Sequence, residues 1–280
     1  MYDKRRARAQ IEAWLNEDAG VYDLTTEIMI PAGATGRFLY NAREPLVLAG
    51  IEIAAMTHQA LDTEVVFEPW FEDGARIEAG AAIAAVEGDA RAILTAERVA
   101  LNLLQRLSGV ATLTAAFVAE LDGLPTQLVD TRKTTPGLRA LEKHAVTCGG
   151  GRNHRLGLDS GVMLKDNHIA ICGGVAAAVA KARAAAPLLT KIEVECDRLD
   201  QVDEALSAGA DVIMLDNMSD AEMRAAVALS KGRALLEASG GVRLDTIRAK
   251  AETGVDVISV GKITQGAAAV DIGLDAAESA

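Results

Sequence analysis

The chain has 280 residues, half of them hydrophobic but only 3% aromatic, and a formal net charge of −12. That length suits one large α/β domain, or a barrel with a smaller companion, and an Ala/Val/Leu/Ile core suits helices packed on a parallel sheet. The acidic balance argues against a protein devoted to nucleic acid or to an anionic membrane surface. No apolar run approaches a membrane span, since the Ala-rich 175–187 stretch is broken by Lys181 and Arg183. The Met-Tyr-Asp-Lys-Arg-Arg start lacks the apolar core of a signal peptide. Cys148, Cys172 and Cys196 show no paired metal-type spacing and read as reduced thiols. A soluble, cytoplasmic protein is expected.

The first hundred residues read as a separate α/β domain. Phe38-Leu39-Tyr40, Val65-Val66-Phe67 and Ile83 to Val86 form short strands, with turns at Asp73-Gly74 and Glu87-Gly88. A helix starting near Thr95 carries Val99, Leu103, Leu104 and Leu107 on one face. Arg98 then falls in its first turn, where the helix dipole disfavours a cation by some tenths of a kcal/mol. Either Glu97 or an external anion offsets that.

The middle of the chain carries a basic island. Between Asp130 and His168 seven Lys and Arg face four Asp and Glu, and three of the four histidines lie there. In Asp130-Thr131-Arg132-Lys133-Thr134-Thr135-Pro136-Gly137, Thr135 is expected to cap a helix whose first turn accepts Pro136, with Leu138, Leu141 and Ala145 on its buried face. Arg132 and Lys133 then sit together on a strand-to-helix turn, repelling each other unless an anion joins them. Three glycines at 149–151 precede Arg152, His154 and Arg155, a loop able to present N–H groups and a guanidinium fork to a carboxylate. As far as the sequence shows, no His–acid pair is placed to activate Cys148, which is expected to be structural. Lys165 ends the apolar run Met163-Leu164; it is either a Schiff-base lysine or a protonated anion holder, and the neighbouring arginines favour the second.

The second half alternates strand and helix. Runs at 192–195, 212–215, 234–237 and 257–260 are separated by helical segments, with Gly209, Gly232 and Gly254 at helix ends and Ser219 to Glu222 as a capping box. Strict alternation means parallel strands with right-handed crossovers. Glu195, Asp216, Glu237 and Gly261 each close a run, so polar residues arrive from many strand ends, as on a barrel rim. Glu195 and Asp216 are placed to approach a common Mg²⁺, directly or through water, or to hold ribose hydroxyls. Glu193 faces the same side as Glu195, and a shared role stays open. The glycine loops Ser239-Gly240-Gly241 and Gly261-Lys262 are candidates for a phosphate cradle.

Together these segments resemble the quinolinate phosphoribosyltransferase family. The likeness runs through Glu17-Asp18, Asp23 to Thr26, Ala96-Glu97-Arg98, Leu107-Ser108-Gly109, Asp130 to Gly137, His154 to Gly157, Leu164 to His168, Leu215-Asp216-Asn217 and Glu237 to Gly241. It implies an N-terminal α/β sandwich (residues 1–105, with 270–280 returning to it) and an incomplete, seven-stranded α/β barrel of TIM type (106–269). It also implies a homodimer with shared active sites, sometimes assembled further. The implied reaction joins quinolinate and phosphoribosyl pyrophosphate into nicotinate mononucleotide, pyrophosphate and CO₂, with Mg²⁺, in NAD biosynthesis. By the same resemblance, Arg98 of a second subunit would join Arg132, His154, Arg155 and Lys165 on quinolinate. Lys133 would serve the phosphoribosyl side, and Glu195 and Asp216 the ribose and Mg²⁺. Ser239, Gly240, Gly241 and Gly261 would take the 5′-phosphate. The chain departs from many relatives after the last strand's glycine, where Lys262-Ile263-Thr264-Gln265-Gly266 replaces Ala-Leu-Thr-His-Ser. Lys262 or Gln265 is expected to take the histidine's place.

Overall fold

The computed structural model describes residues 2–277. Its contacts divide the chain into two units, Met1–Ala115 with Thr135–Gly150 and Gly266–Ala280, and Ala116–Thr134 with Gly151–Gln265. The division differs from a break at 105/106 because segment 135–150 packs within the first unit. There Glu142, fully buried, takes the Arg106 guanidinium at 2.8 Å.

The first unit opens with α1 (Lys4–Ala19), capped by Asp3 and burying Ala7, Ile11 and Leu15, and with α2 (Leu24–Met29), capped by Asp23. Next come β1 (Thr35–Ala42), β2 (Leu46–Val47), α3 (Ile51–Leu61), β3 (Val66–Pro69), β4 (Arg76–Ile77) and β5 (Ala82–Asp89). The expected turn at Glu87-Gly88 is absent, because β5 continues to Asp89 against β1. The helix α4 then runs over Ala90–Ala119, with the Asp89 carboxylate accepting from Ala92 N–H at 2.9 Å. It therefore starts five residues before Thr95. Arg98 lies in the third turn, and the dipole argument for an anion there does not apply.

The remaining elements in chain order are β6 (Gln127–Val129), α5 (Arg139–Cys148), β7 (Val162–Leu164), α6 (Asp166–Cys172), α7 (Val175–Ala185), β8 (Ile192–Cys196) and α8 (Leu199–Ser207). They continue with β9 (Val212–Asp216), α9 (Asp220–Ser230), β10 (Leu235–Ser239), α10 (Ile247–Ala251), β11 (Val257–Ser259), α11 (Lys262–Gln265) and β12 (Ile272–Ala276). Thr135 does not cap α5 as expected. The helix begins at Arg139, and Thr135 instead donates its hydroxyl to Glu142 at 2.8 Å. Ser219 and Glu222 do form a reciprocal capping box on α9.

In the first unit β12, β1, β5 and β3 form an antiparallel sheet, with Tyr40 opposite Leu274 and Ala84. Tyr40, Leu48, Ile53, Ile83, Ile93 and Leu104 are fully buried in its core. So is His58, whose Nε2 meets the Tyr40 hydroxyl at 2.5 Å while its Nδ1 has no partner. Burial pushes its pKa down to about 4. A depressed histidine favours the folded state while neutral. Its contribution of about 3 kcal/mol is complete above pH 6.5 and lost as the pH falls through about 4. His58→Gln is expected to flatten the acid-side decline of stability over that window, read by denaturant midpoints at several pH values.

In the second unit all strands run parallel in the order β6-β11-β10-β9-β8-β7. The seven-stranded expectation resolves into six strands plus one isolated parallel bridge, Val129 to Arg152, on the far side of β6. Such an incomplete barrel buries Ile192, Val194, Ile213, Leu215, Leu236 and Ile258, each at most 2% exposed. Among the described residues no single helix is long and apolar enough to cross a membrane.

Candidate active site

Parallel strands deliver their C-terminal ends to one rim, and there the second unit carries a cavity of about 380 Å³. Its lining includes Arg132, Lys133, His154, Arg155 and Lys165 on one side of the charge balance, and Asp130, Glu195, Asp216 and Glu237 on the other. Thr131, Ser239 and Ser259 complete its polar wall.

Each cation is held by its own local structure. Buried Asp130 accepts from Asn153 Nδ2 and from the His154 main-chain N–H, both at 2.8 Å, and so ties the loop after β6 to the segment carrying His154 and Arg155. In that loop Thr131 accepts from Lys133 N–H at 3.0 Å, and the Thr264 hydroxyl donates to the Lys133 carbonyl at 2.7 Å. Arg155 donates to Gly161 O at 3.3 Å. Burial, with the nearby Arg132 charge, holds its guanidinium below the usual arginine range. A pocket anion would relieve that crowding. Lys165 caps α6, and its ammonium forms an ion pair with Glu195. Asp216 ends β9 and accepts from Asn217 Nδ2 at 2.8 Å.

His154 sits deepest. Its Nε2 is 3.0 Å from Glu237 and 3.3 Å from Glu193, carboxylates that are 1% and 5% exposed. Burial opposes charge on the ring, but hydrogen bonds to the two carboxylates, and their charge, outweigh it and raise His154 to about 10. The Arg155 main-chain N–H, aimed at Nδ1 from 2.8 Å, works the other way, because that nitrogen accepts only when unprotonated. Both influences agree on the proton at Nε2, and we take that as the defining feature of the ring. Glu193 is pushed above the usual carboxylate range by burial and by the Glu237 charge, against the pull of His154.

Sequence reasoning put Glu237 at a strand end. In fact it is the third residue of five in β10, pointing inward, and it belongs to His154. A lone glutamate inside Leu235-Leu236-Glu237-Ala238 was the available signal, since an unpaired buried carboxylate is rare. Glu193 likewise serves His154 and does not share the Lys165 partnership of Glu195. Gly240 (φ 92°) follows β10, and a Cβ there would collide with the Asn217 side chain. At Gly261 a Cβ would lie 2.8 Å from Lys133 Cδ and 3.6 Å from Gln265 Nε2. Ser239, next to Gly240, lines the cavity, whereas Gly240, Gly241 and Gly261 are not among its lining residues. Arg98 is placed elsewhere, exposed in the first unit beside a cavity shared with Asp18, Tyr22, Asp23 and Thr95.

A family model described as quinolinate phosphoribosyl transferase, N-terminal domain, matches residues 23–108, and the corresponding C-terminal domain matches 110–275. The chain belongs to the quinolinate phosphoribosyltransferase family. A probable nicotinate-nucleotide pyrophosphorylase [carboxylating] of Bacillus subtilis is 44% identical over 259 residues, 92% of this chain and 89% of the relative. The Mycobacterium leprae nicotinate-nucleotide pyrophosphorylase [carboxylating] is 42% identical over 96% of each chain. The solved nicotinate-nucleotide pyrophosphorylase of Francisella tularensis superposes with a TM-score of 0.95 at 38% identity, covering 99% of this chain and 98% of its own. Agreement over both domains makes this family member an enzyme of the phosphoribosyltransferase class.

Proposed function

We propose that the chain transfers the phosphoribosyl group of phosphoribosyl pyrophosphate to quinolinate, giving nicotinate mononucleotide, pyrophosphate and CO₂ in NAD biosynthesis. One observation carries this reading: a single rim cavity holds Arg132, Lys133, Arg155 and Lys165 together with Glu195 and Asp216. A dicarboxylate needs the first group and a ribosyl donor the second.

Arg132, Arg155 and Lys165 hold the two carboxylates and orient the pyridine nitrogen, and His154, its Nε2 proton engaged by Glu193 and Glu237, lines the pocket beside them. Its lone pair forms the bond to C1′ as the C1′–O bond electrons leave with pyrophosphate. Charge on the ribose at that moment is oxocarbenium-like, and the carboxylates of Glu195 and Asp216 face it. The new pyridinium then accepts the electron pair left when the 2-carboxylate departs as CO₂, and that carbon takes a proton from solvent. No protein nucleophile is needed; positioning and fixed charge do the acceleration. Lys133 lies toward the phosphoribosyl group, and Ser239, Gly240, Gly241 and Gly261 toward its 5′-phosphate. Lys262 or Gln265 takes the place of the histidine of relatives; the Gln265 amide stands 3.6 Å from where a Cβ would lie at Gly261.

The donor set also fits Mg²⁺. Glu195 and Asp216, hard carboxylates of adjacent strands, would hold it, directly or through water. When bound, Mg²⁺ would neutralise charge on the leaving pyrophosphate.

We assign Arg98 to the cavity of a second copy of the chain, making the working unit a homodimer. If so, Arg98→Ala and Lys165→Ala are each inactive alone. Their refolded mixture should recover about a quarter of wild-type turnover, because each hybrid dimer contains one intact site. No recovery would place Arg98 outside the site. The reaction itself is tested by supplying quinolinate, Mg²⁺ and phosphoribosyl pyrophosphate and measuring CO₂ and nicotinate mononucleotide. Turnover of nicotinate without CO₂ release would overturn the assignment.

A further inference from the structure

A second cluster of reactive side chains lies in the first unit, where the transferase reading uses none of them. His144 and Cys148 are four residues apart on α5 and share one face of that helix. Asp73, in the turn between β3 and β4, is their third member. The Asp73 Oδ2 is 2.7 Å from His144 Nε2, and the Cys148 sulfur is 3.5 Å from that same nitrogen. All three ligand atoms lie within 4.8 Å of one another.

One ring nitrogen thus faces two partners. A single proton on Nε2 satisfies the carboxylate and leaves the thiol without an acceptor there. Without that proton, Nε2 accepts from the thiol but confronts the carboxylate's lone pairs. A cation at the common point satisfies all three at once. From this convergence we propose a binding site for a thiophilic divalent ion of the Zn²⁺ class, with Asp73, His144 and Cys148 as its protein ligands and an open fourth position for water.

The spacing agrees with that chemistry. Zn–S bonds of about 2.3 Å and Zn–N bonds of about 2.0 Å set tetrahedral N···S separations of roughly 3.6 Å, close to the separation observed here. The N···O pair, at 2.7 Å, is tighter and opens to roughly 3.3 Å when an ion replaces the shared proton. The carboxylate is oriented from behind, because Asp73 Oδ1 accepts from the Ile51 main-chain N–H at 3.0 Å. Gly74, with φ 94°, donates its N–H to Leu48 O at 2.7 Å and pins the turn. His144 and Asp73 side chains are 21% and 18% exposed, so an ion enters from solvent. The Asp73–His144 ion pair uses two of the three ligand atoms, and the one-turn spacing of α5 sets the Cys148 sulfur beside them as the third.

Burial, then the Asp73 charge, pushes the Cys148 thiol up to about 12, so the metal-free site holds a protonated thiol. Binding therefore releases one proton to solvent as the sulfur becomes a thiolate ligand. Mg²⁺, which prefers oxygen ligands, does not compete.

The test is Co²⁺ titration of the full-length protein in excess Mg²⁺. One equivalent should bring up the visible bands of tetrahedral Co²⁺ and a near-ultraviolet thiolate-to-cobalt band, and one equivalent of Zn²⁺ should bleach both. Cys148→Ser should lose the thiolate band, while Cys172→Ser keeps it. His144→Ala and Asp73→Asn should weaken binding at least tenfold, and Zn²⁺ should raise the unfolding midpoint of wild type but not of His144→Ala. All these variants lie outside the proposed transferase machinery, so their turnover serves as the folding control; should His144→Ala not fold, Cys148→Ser carries the test. No thiolate band in wild type, or a band that survives Cys148→Ser, overturns the proposal.

Discussion

Lys165→Ala is expected to lower turnover about a hundred- to a thousandfold, the scale seen when one preorganised donor is removed from a developing transition state, while leaving the fold intact. The side chain is 47% exposed and, among the described residues, pairs with Glu195, so its loss costs about 1 kcal/mol of stability or less. Without it the dicarboxylate loses a protonated partner, and Glu195 loses the counter-charge that holds it toward the rim. Lys165→Arg should recover little, because a planar guanidinium does not occupy the place of a compact ammonium. The measurement is CO₂ release from quinolinate by purified protein whose unfolding midpoint matches wild type. Wild-type-like turnover would remove Lys165 from the site. Borohydride treatment with either substrate should leave no covalent adduct at Lys165; an adduct would point to imine chemistry instead.

Replacing His154 is expected to damage folding as well as activity. In His154→Ala, Glu193 and Glu237 remain buried with their shared proton donor gone, a situation that costs about 3–5 kcal/mol when one partner of a buried ionic group is deleted. Glu193, already raised by burial and by Glu237, would be pushed further. A carboxylate whose folded pKa exceeds its unfolded value supports the fold below the unfolded pKa and loses that support as the pH climbs through the folded one. The His154→Ala defect should therefore be mildest near pH 4.5 and grow toward neutrality. Adding Glu237→Gln removes one of the two facing charges and should restore most of the stability but none of the activity. If the double variant is no more stable than His154→Ala, the two carboxylates are not what the imidazole holds together.

Much of the site could be read from local sequence. Arg132, Lys133 and Lys165 follow apolar strands, Glu195 and Asp216 lie at the C-terminal ends of theirs, and Arg155 comes from the glycine loop; a parallel α/β unit sends strand ends to one rim. Alternation of strand and helix is a short-range property, legible from period and turn residues alone. Boundaries were less legible. The Glu87-Gly88 pair looked like a turn, yet cross-strand pairing with β1 carried β5 through it, and α4 consequently began early enough to move Arg98 out of the first turn.

What the sequence determined by itself was the inventory of the anion site and the strand ends that carry it. Only the tertiary structure decided which of these charges meet. Glu193 and Glu237 lie on different strands, and their convergence on one nitrogen of His154 appears only when the sheet curls and sets inward-facing positions of β8 and β10 beside the loop after the 129–152 bridge. Asp73 and His144, 71 residues apart, meet because α5 packs within the first unit beside the turn between β3 and β4. Local propensity places a residue on a face. Closure of the fold, driven by burial of the apolar face behind it, chooses the partner across the gap.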